Sequence, residues 1–148
     1  MKTVFNNNHL IVDEHSKNKE QALAFIAQNA ASLGYVADAD LYQAGLLDRE
    51  DNSSTGLMGG MATPHCKNAT VKHAGIFVVR FKHAIEWQTM DEAPVNTAVA
   101  LTIPAEGAET SIRMLTKLSR RMMRIAFRET LQQGDIKQVE SVIAEAIA

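Results

Sequence analysis

The sequence predicts an α/β fold: a single layered domain, residues 1–148, in which a mixed β-sheet is flanked by helices. Two runs rich in β-branched and aromatic residues, AGIFVVRF (74–81) and VNTAVALTI (95–103), have the continuous apolar character of strands covered on both faces. Apolar residues at three- and four-residue spacing precede and follow them, as on helices with one buried side. With 148 residues, 46% of them hydrophobic, the chain can bury one sizeable core and is too short for two domains.

The elements follow in order. Ser16 is a candidate N-cap for a first helix, with Leu23, Ile26, Ala27, Ala30 and Leu33 on one face and Gly34 as its stop. Asp38 caps a second helix to about residue 50, with Leu41, Ala44 and Leu47 at helical spacing. DNSSTGLMGG (51–60) has turn formers and no period, so it is expected to be a loop entering a short strand at 61–63. After the two central strands, Ile112, Leu115, Leu118, Met122 and Ile125 mark a long helix over about 109–124. A short helix is expected in AFRETLQQ. Asp135 with Gln138 then forms a capping box for a last helix carrying Ile136, Val139, Ile143 and Ile147.

Fifteen Lys plus Arg against seventeen Asp plus Glu give a formal charge of -2, so no chain-wide field exists to hold a nucleic acid. Apolar runs such as 76–79 fall far short of the ~20 residues that span a bilayer. The N-terminal stretch lacks an apolar segment long enough for a secretory signal, and the single cysteine, Cys66, has no partner for an internal disulfide. A cytoplasmic protein without membrane insertion is the expectation.

The chemistry concentrates in MATPHCKN (61–68). Pro64 fixes its own φ and drives Thr63 into an extended conformation, so His65 is presented on a stiff stalk. A neutral imidazole is a good nucleophile near neutral pH, and the ring's ordinary pKa of about 6.5 makes that form readily available. His65 is thus a candidate for direct attack on a phosphoryl group. Phosphoryl transfer needs in-line positioning and donors for the equatorial oxygens. Backbone amides of the glycine-containing loop 53–60 are candidate donors, and Arg49 at the end of the second helix is another, although it also suits that helix's negative end. No G-x-x-x-x-G-K-[ST] is present, so this is not a nucleotide P-loop. Cys66 beside His65 lacks further Cys or His at zinc spacing, so no metal is expected, and neither is a cofactor.

LLDREDNSSTGLMGGMATPHC resembles the signature of the enzyme IIA domains of the fructose and mannitol class of the bacterial phosphoenolpyruvate-dependent sugar phosphotransferase system. Arg49-Glu50, Ser54-Thr55-Gly56, Gly60, Ala62 and Pro64-His65 fall in the order and spacing of that family, and the resemblance extends from the first helix to the last. It implies that His65 accepts a phosphoryl group from the carrier HPr and passes it to a cysteine of a IIB component, which serves a membrane IIC component during sugar uptake. It implies that Arg49 steadies the phosphoryl group. Since no IIB-like cysteine loop is present, IIB is expected to be a separate chain. The alternative within the same fold is a regulatory module whose His65 phosphorylation controls a partner without sugar transport.

Two positions depart from the family pattern. Cys66 replaces the usual glycine after the histidine, adding a side chain expected to narrow the approach. Ser111 stands where many members carry a second histidine, and its hydroxyl is a candidate donor to a phosphoryl oxygen. Glu50, Ser54 and Thr55 fit direct contact with the phosphoryl group and turn capping equally well. Leu57, Met58 and Met61 are expected to expose an adaptable apolar rim for successive partners. Lys117, Arg120, Arg121 and Arg124 form a basic strip best read as a solvated face. His9, His15, His73 and His83 lie in scattered polar or strand-edge contexts and receive no role.

Overall fold

A computed structural model describes residues 2–148. After a 3₁₀ turn at Asn7–His9, the order is β1 (Leu10–Asp13), α1 (Lys19–Ser32), α2 (Ala39–Asn52), β2 (Met61–Ala62) and β3 (His65–Asn68). It continues with β4 (Gly75–Ile85), β5 (Val95–Pro104), α3 (Ala108–Arg121), α4 (Ile125–Gln133) and α5 (Ile136–Ile147). The sheet is mixed: β1 runs parallel to β4, β4 is antiparallel to β5, and both short strands β2 and β3 run parallel to β5 on its far side.

Period-2 alternation divides the central strands between two apolar layers. Phe77 and Val79 of β4 with Ala98 and Ala100 of β5 pack with Leu23, Ile26, Tyr42 and Leu46 from α1 and α2. Ile76, Val78, Val99 and Leu101 pack with Leu118, Phe127, Leu131 and Ile143 from α3 to α5. Each fully buried side chain of this size contributes about 1.5–3 kcal/mol relative to exposure. Both faces of the sheet are therefore covered, as the unbroken apolar runs require.

Local signals account for several helix ends. The side chain of Asp38 accepts the amides of Asp40 and Leu41, and Asp135 and Gln138 form the reciprocal capping box. Gly34, at φ 85°, follows α1 as its stop. Asn18, not Ser16, caps α1, accepting the amide of Gln21; Ser16 is buried and donates its amide to Asp13 Oδ1 instead.

Three other expectations are corrected. The buried face of α2 carries Tyr42, Leu46 and Glu50, whereas Leu41 and Ala44 are exposed; Tyr42 and Glu50 enter the interior because their polar tips find partners there. Helix α3 ends at Arg121, and its inward stripe is Ser111, Met114 and Leu118, leaving Ile112 half exposed. His9 is buried, its ring stacked on Phe77 and edge-on to Tyr35 and Phe5. Strands β1 and β3 lie in segments without a strand period. Among the described residues, no helix is long and apolar enough to cross a membrane.

Candidate active site

The far side of β5 carries a strand in two pieces. Met61 and Ala62 pair with Thr97 and Ala98, and His65 to Asn68 pair with Leu101 to Pro104. The break falls at Thr63-Pro64, where proline has no amide for a ladder bond, while its carbonyl still accepts the amide of Leu101 at 3.0 Å. Gly59 and Gly60, at φ 67° and 82°, make the turn that delivers the chain to β2. His65 is therefore the first residue of a strand, not a residue just beyond one.

The ring of His65 folds back on its own stalk, with Nδ1 2.7 Å from the carbonyl oxygen of Thr63. A carbonyl only accepts, so this contact assigns the proton to Nδ1 and leaves the lone pair on Nε2. The same logic orients a metal-bound or catalytic imidazole through its second nitrogen. Burial holds the His65 imidazole below the ordinary histidine range; the Thr63 carbonyl opposes that effect, the Arg49 charge adds to it, and Glu50 opposes it. The nucleophilic neutral form is thereby favoured at neutral pH.

Thr63 is in turn held by Thr55, whose carbonyl accepts its amide at 3.0 Å. Thr55 donates its amide to Glu50 Oε1 at 3.1 Å and its hydroxyl to Glu50 Oε2. The Trp87 indole donates to the same carboxylate at 3.1 Å, and Lys19 Nζ lies 3.5 Å away. Glu50 is thus an interior hub. The sequence offers Glu50 as a phosphoryl contact or turn cap and hides this interior role, because Lys19 and Trp87 stand 31 and 37 residues away.

His65 lines a cleft of about 530 Å³ between α2, β3 and the start of α3. Gly45, Asp48, Arg49 and Asn52 present one face of α2 to it, Lys67 lies two residues along β3, and Ile112 and Leu115 form an apolar wall. Arg49 Nη1 donates to the Ser53 carbonyl at 2.6 Å and to its hydroxyl at 3.2 Å. Its Nη2 and Nε make no hydrogen bond among the described residues, leaving two donors of the guanidinium for an anion. Lys67 supplies a second cation to the lining, and Asp48 its single carboxylate.

Other expected site residues stand elsewhere. Thr55 is buried with its hydroxyl committed to Glu50. Ser111 is buried in the inward stripe of α3, and its neighbour Ile112 borders the cleft instead. Of the loop amides, those of Thr55, Gly56, Leu57 and Gly59 already bond Glu50, Ser54, Met61 and Asp91, and no residue of 53–60 lines the cleft. Met61 is fully buried in the layer beneath α3 to α5, so it offers no rim to a partner. Leu57 packs partly against that layer, Met58 is half-buried, and neither lines the cleft.

Cys66 lines the same cleft as His65 but is only 6% exposed. Alternation along β3 turns its side chain toward α2, where Sγ lies 3.9 Å from the Tyr42 carbonyl. It rests against Gly45, where an added Cβ would come within 2.8 Å of the sulfur and 2.7 Å of Asn68 Nδ2. Burial pushes the thiol up to about 12, so this sulfur is neither nucleophile nor ligand at neutral pH. Among the described residues no group of three or more His, Cys, Asp or Glu is placed to hold a metal ion.

Residues 3–146 match the family model described as phosphoenolpyruvate-dependent sugar phosphotransferase system, EIIA 2. The chain belongs to this family. As an EIIA component it is a phosphotransferase, a protein that carries a phosphoryl group. It is 32% identical over 137 residues to a PTS system fructose-specific EIIA component from Haloferax volcanii, covering 92% of this chain and 89% of that one. It is also 32% identical over 123 residues to a fructose-like EIIA component from Escherichia coli, covering 83% of each. Nitrogen regulatory protein IIA-Ntr from Neisseria meningitidis has the same fold, with a TM-score of 0.79 over 98% of this chain and 97% of that one at 24% identity. Mannitol enzyme IIA from E. coli, in a complex with phosphorylated enzyme IIB, superposes with a TM-score of 0.78 at 17% identity, over 95% of this chain and 97% of the matched one.

Proposed function

We propose that His65 Nε2 is the atom that carries the phosphoryl group, received from the phosphohistidine of HPr and passed to a cysteine of a separate IIB chain. The observation that carries this reading is the Nδ1 to Thr63 carbonyl contact at 2.7 Å, which leaves one ring nitrogen with a lone pair. In the first step the Nε2 lone pair forms a bond to phosphorus while the donor's phosphorus–nitrogen bond breaks and its electrons return to the HPr imidazole. The phosphorylated ring retains the Nδ1 proton and becomes cationic, a charge that the Thr63 carbonyl dipole stabilises. Arg49 and Lys67 line the same cleft as His65 and supply the positive charge that would meet the phosphoryl oxygens there. In the second step a IIB thiolate attacks phosphorus, the bond to Nε2 breaks, and its electron pair restores the neutral imidazole.

Two relatives named for fructose or fructose-like systems support a fructose-type sugar or a hexitol as the cargo of the IIB and IIC partners. A regulatory module would use the same first step and differ only in where the phosphoryl group goes. Incubation with phosphoenolpyruvate, enzyme I and HPr, followed by intact mass at neutral pH, tests the assignment. One acid-labile phosphoryl adduct, absent in His65→Ala and assigned to Nε2 by ring nitrogen NMR, is expected. An adduct on Nδ1, or one that survives His65→Ala, overturns it. Loss of the adduct on adding a fructose-type IIB then separates transport from regulation.

A further inference from the structure

We propose that Glu50 is a positioning residue for His65: acting through Thr55 and Thr63, its buried carboxylate fixes which imidazole nitrogen carries the proton. This rests on the reading of His65 as the phosphoryl carrier and adds what holds the ring in its productive tautomer.

The connection is continuous. The Glu50 side chain, 2% exposed, is surrounded by the Thr55 amide at 3.1 Å, the Thr55 hydroxyl, the Trp87 indole at 3.1 Å and Lys19 Nζ at 3.5 Å. Lys19 also lies over the Trp87 ring, 5.3 Å from its centroid. A carboxylate fixed by donors on both oxygens leaves Thr55 no rotational freedom, because Thr55 is gripped by amide and hydroxyl together. Its carbonyl therefore points in one direction, toward the Thr63 amide at 3.0 Å and the Thr63 hydroxyl at 3.4 Å. The bridge between Gly56 and Ala62 clamps the same two segments one residue inward. Beyond it, the Thr63 carbonyl meets His65 Nδ1 at 2.7 Å. Three links thus join the last turn of α2 to the ring.

Stability alone is a poor reason for this carboxylate to be inside. Removing a carboxylate from water is costly, and a well-packed apolar side chain often does as well. What an apolar side chain cannot do is hold two Thr55 donors in a fixed geometry. Glu50 also lies close enough to His65 to favour a positive ring, and a phosphorylated imidazole that keeps its Nδ1 proton is positive.

The test uses full-length protein with ¹⁵N-labelled histidine, whose ring nitrogen shifts report the tautomer directly. In the wild type at alkaline pH, a single His65 tautomer with the proton on Nδ1 is expected. Thr55→Val, which keeps the shape and removes the hydroxyl, is expected to give a mixture of tautomers. Its phosphoryl uptake from phospho-HPr should drop at least about tenfold, the scale of a small misplacement at a reacting atom. Thr55→Ser is expected to restore both readouts, and Lys19→Met, which touches Glu50 outside the three links, to leave the tautomer unchanged. Glu50→Gln, whose amide nitrogen cannot accept the Thr55 hydroxyl, provides the same reading should Thr55→Val not fold. A folded Thr55→Val or Glu50→Gln with the wild-type tautomer overturns the proposal. So does an equal disturbance from Lys19→Met, which would make Glu50 an anchor of the fold only. If wild-type His65 takes up no phosphoryl group, the carrier assignment fails while the tautomer result remains readable, so the two failures are distinct.

Discussion

Replacing Arg49 by glutamine separates two effects that the cleft combines. The first is on rate. Arg49 uses Nη1 to hold Ser53 and keeps Nε and Nη2 for the cleft, and a hydrogen bond to a charged group contributes about 1.5–3 kcal/mol. At 1.36 kcal/mol per decade, its loss slows phosphoryl uptake by roughly tenfold to a hundredfold or somewhat more. The second is on pH. Arg49 is one of the causes holding His65 below the ordinary histidine range, so removing its charge raises that pKa. Uptake needs the neutral ring, and the acid limb of the rate profile therefore moves to higher pH. Arg49→Gln is consequently expected to lose more activity on the acid side of neutrality than on the alkaline side. Initial rates of uptake from phospho-HPr across the histidine range measure both effects. Stability by denaturant melting is expected to change by no more than about 1 kcal/mol, because the Ser53 contact is exposed. An acid limb that stays in place or moves to lower pH, or an unchanged rate at neutrality, would refute the reasoning.

Three further outcomes are expected. Ile112→Asp puts a carboxylate on the half-exposed wall of the cleft; it should slow uptake at least about tenfold through like-charge repulsion, and a melting midpoint near that of the wild type with an unchanged rate would count against transfer taking place beside that wall. Cys66 is expected to resist iodoacetamide in the folded protein and react on unfolding, since burial pushes its thiol up to about 12; rapid native labelling followed by mass would contradict its placement. Burial also holds His9 and His65 below the ordinary histidine value, so as pH falls through about 6.5 the unfolded chain takes up protons that the native chain resists. Stability should therefore decline in that interval until the native values are passed, and His9→Phe should flatten the decline in chemical denaturation; an equally steep decline would locate the pH sensitivity elsewhere.

Much of this arrangement is legible in the sequence wherever the deciding interaction is local. Asp38, Asp135 with Gln138, and Gly34 act within one helical turn of themselves, and each takes the role its neighbours imply. The apolar runs of β4 and β5 are equally plain because both faces are buried. His65 stands out through Pro64 and the glycines before it. Strand β3 does not, because His-Cys-Lys-Asn has no apolar period and becomes a strand by pairing with β5. Reading it as one would have placed Lys67 on the same side as His65 and Cys66 on the other. The inward turn of α2 is likewise hidden: Tyr42 enters because its hydroxyl reaches the Leu101 carbonyl at 2.7 Å, 59 residues away. Helix α3 misleads in the opposite sense, for Ile112 completes an apolar stripe on paper while Ser111 occupies the buried position.

The fold-back of the His65 ring onto Thr63 also limits the order of events. With Nδ1 tied to the backbone and the ring lining a single cleft, the proposed donor and acceptor would need the same few square ångströms of surface. A complex containing HPr, this chain and IIB together would leave no line of attack open. Under the proposed relay the two proteins would alternate, each leaving before the other arrives, and an excess of either unphosphorylated partner would slow turnover by occupying the cleft. Traffic through this chain would then be set by the relative abundance and dwell time of its partners as much as by the chemistry of the imidazole.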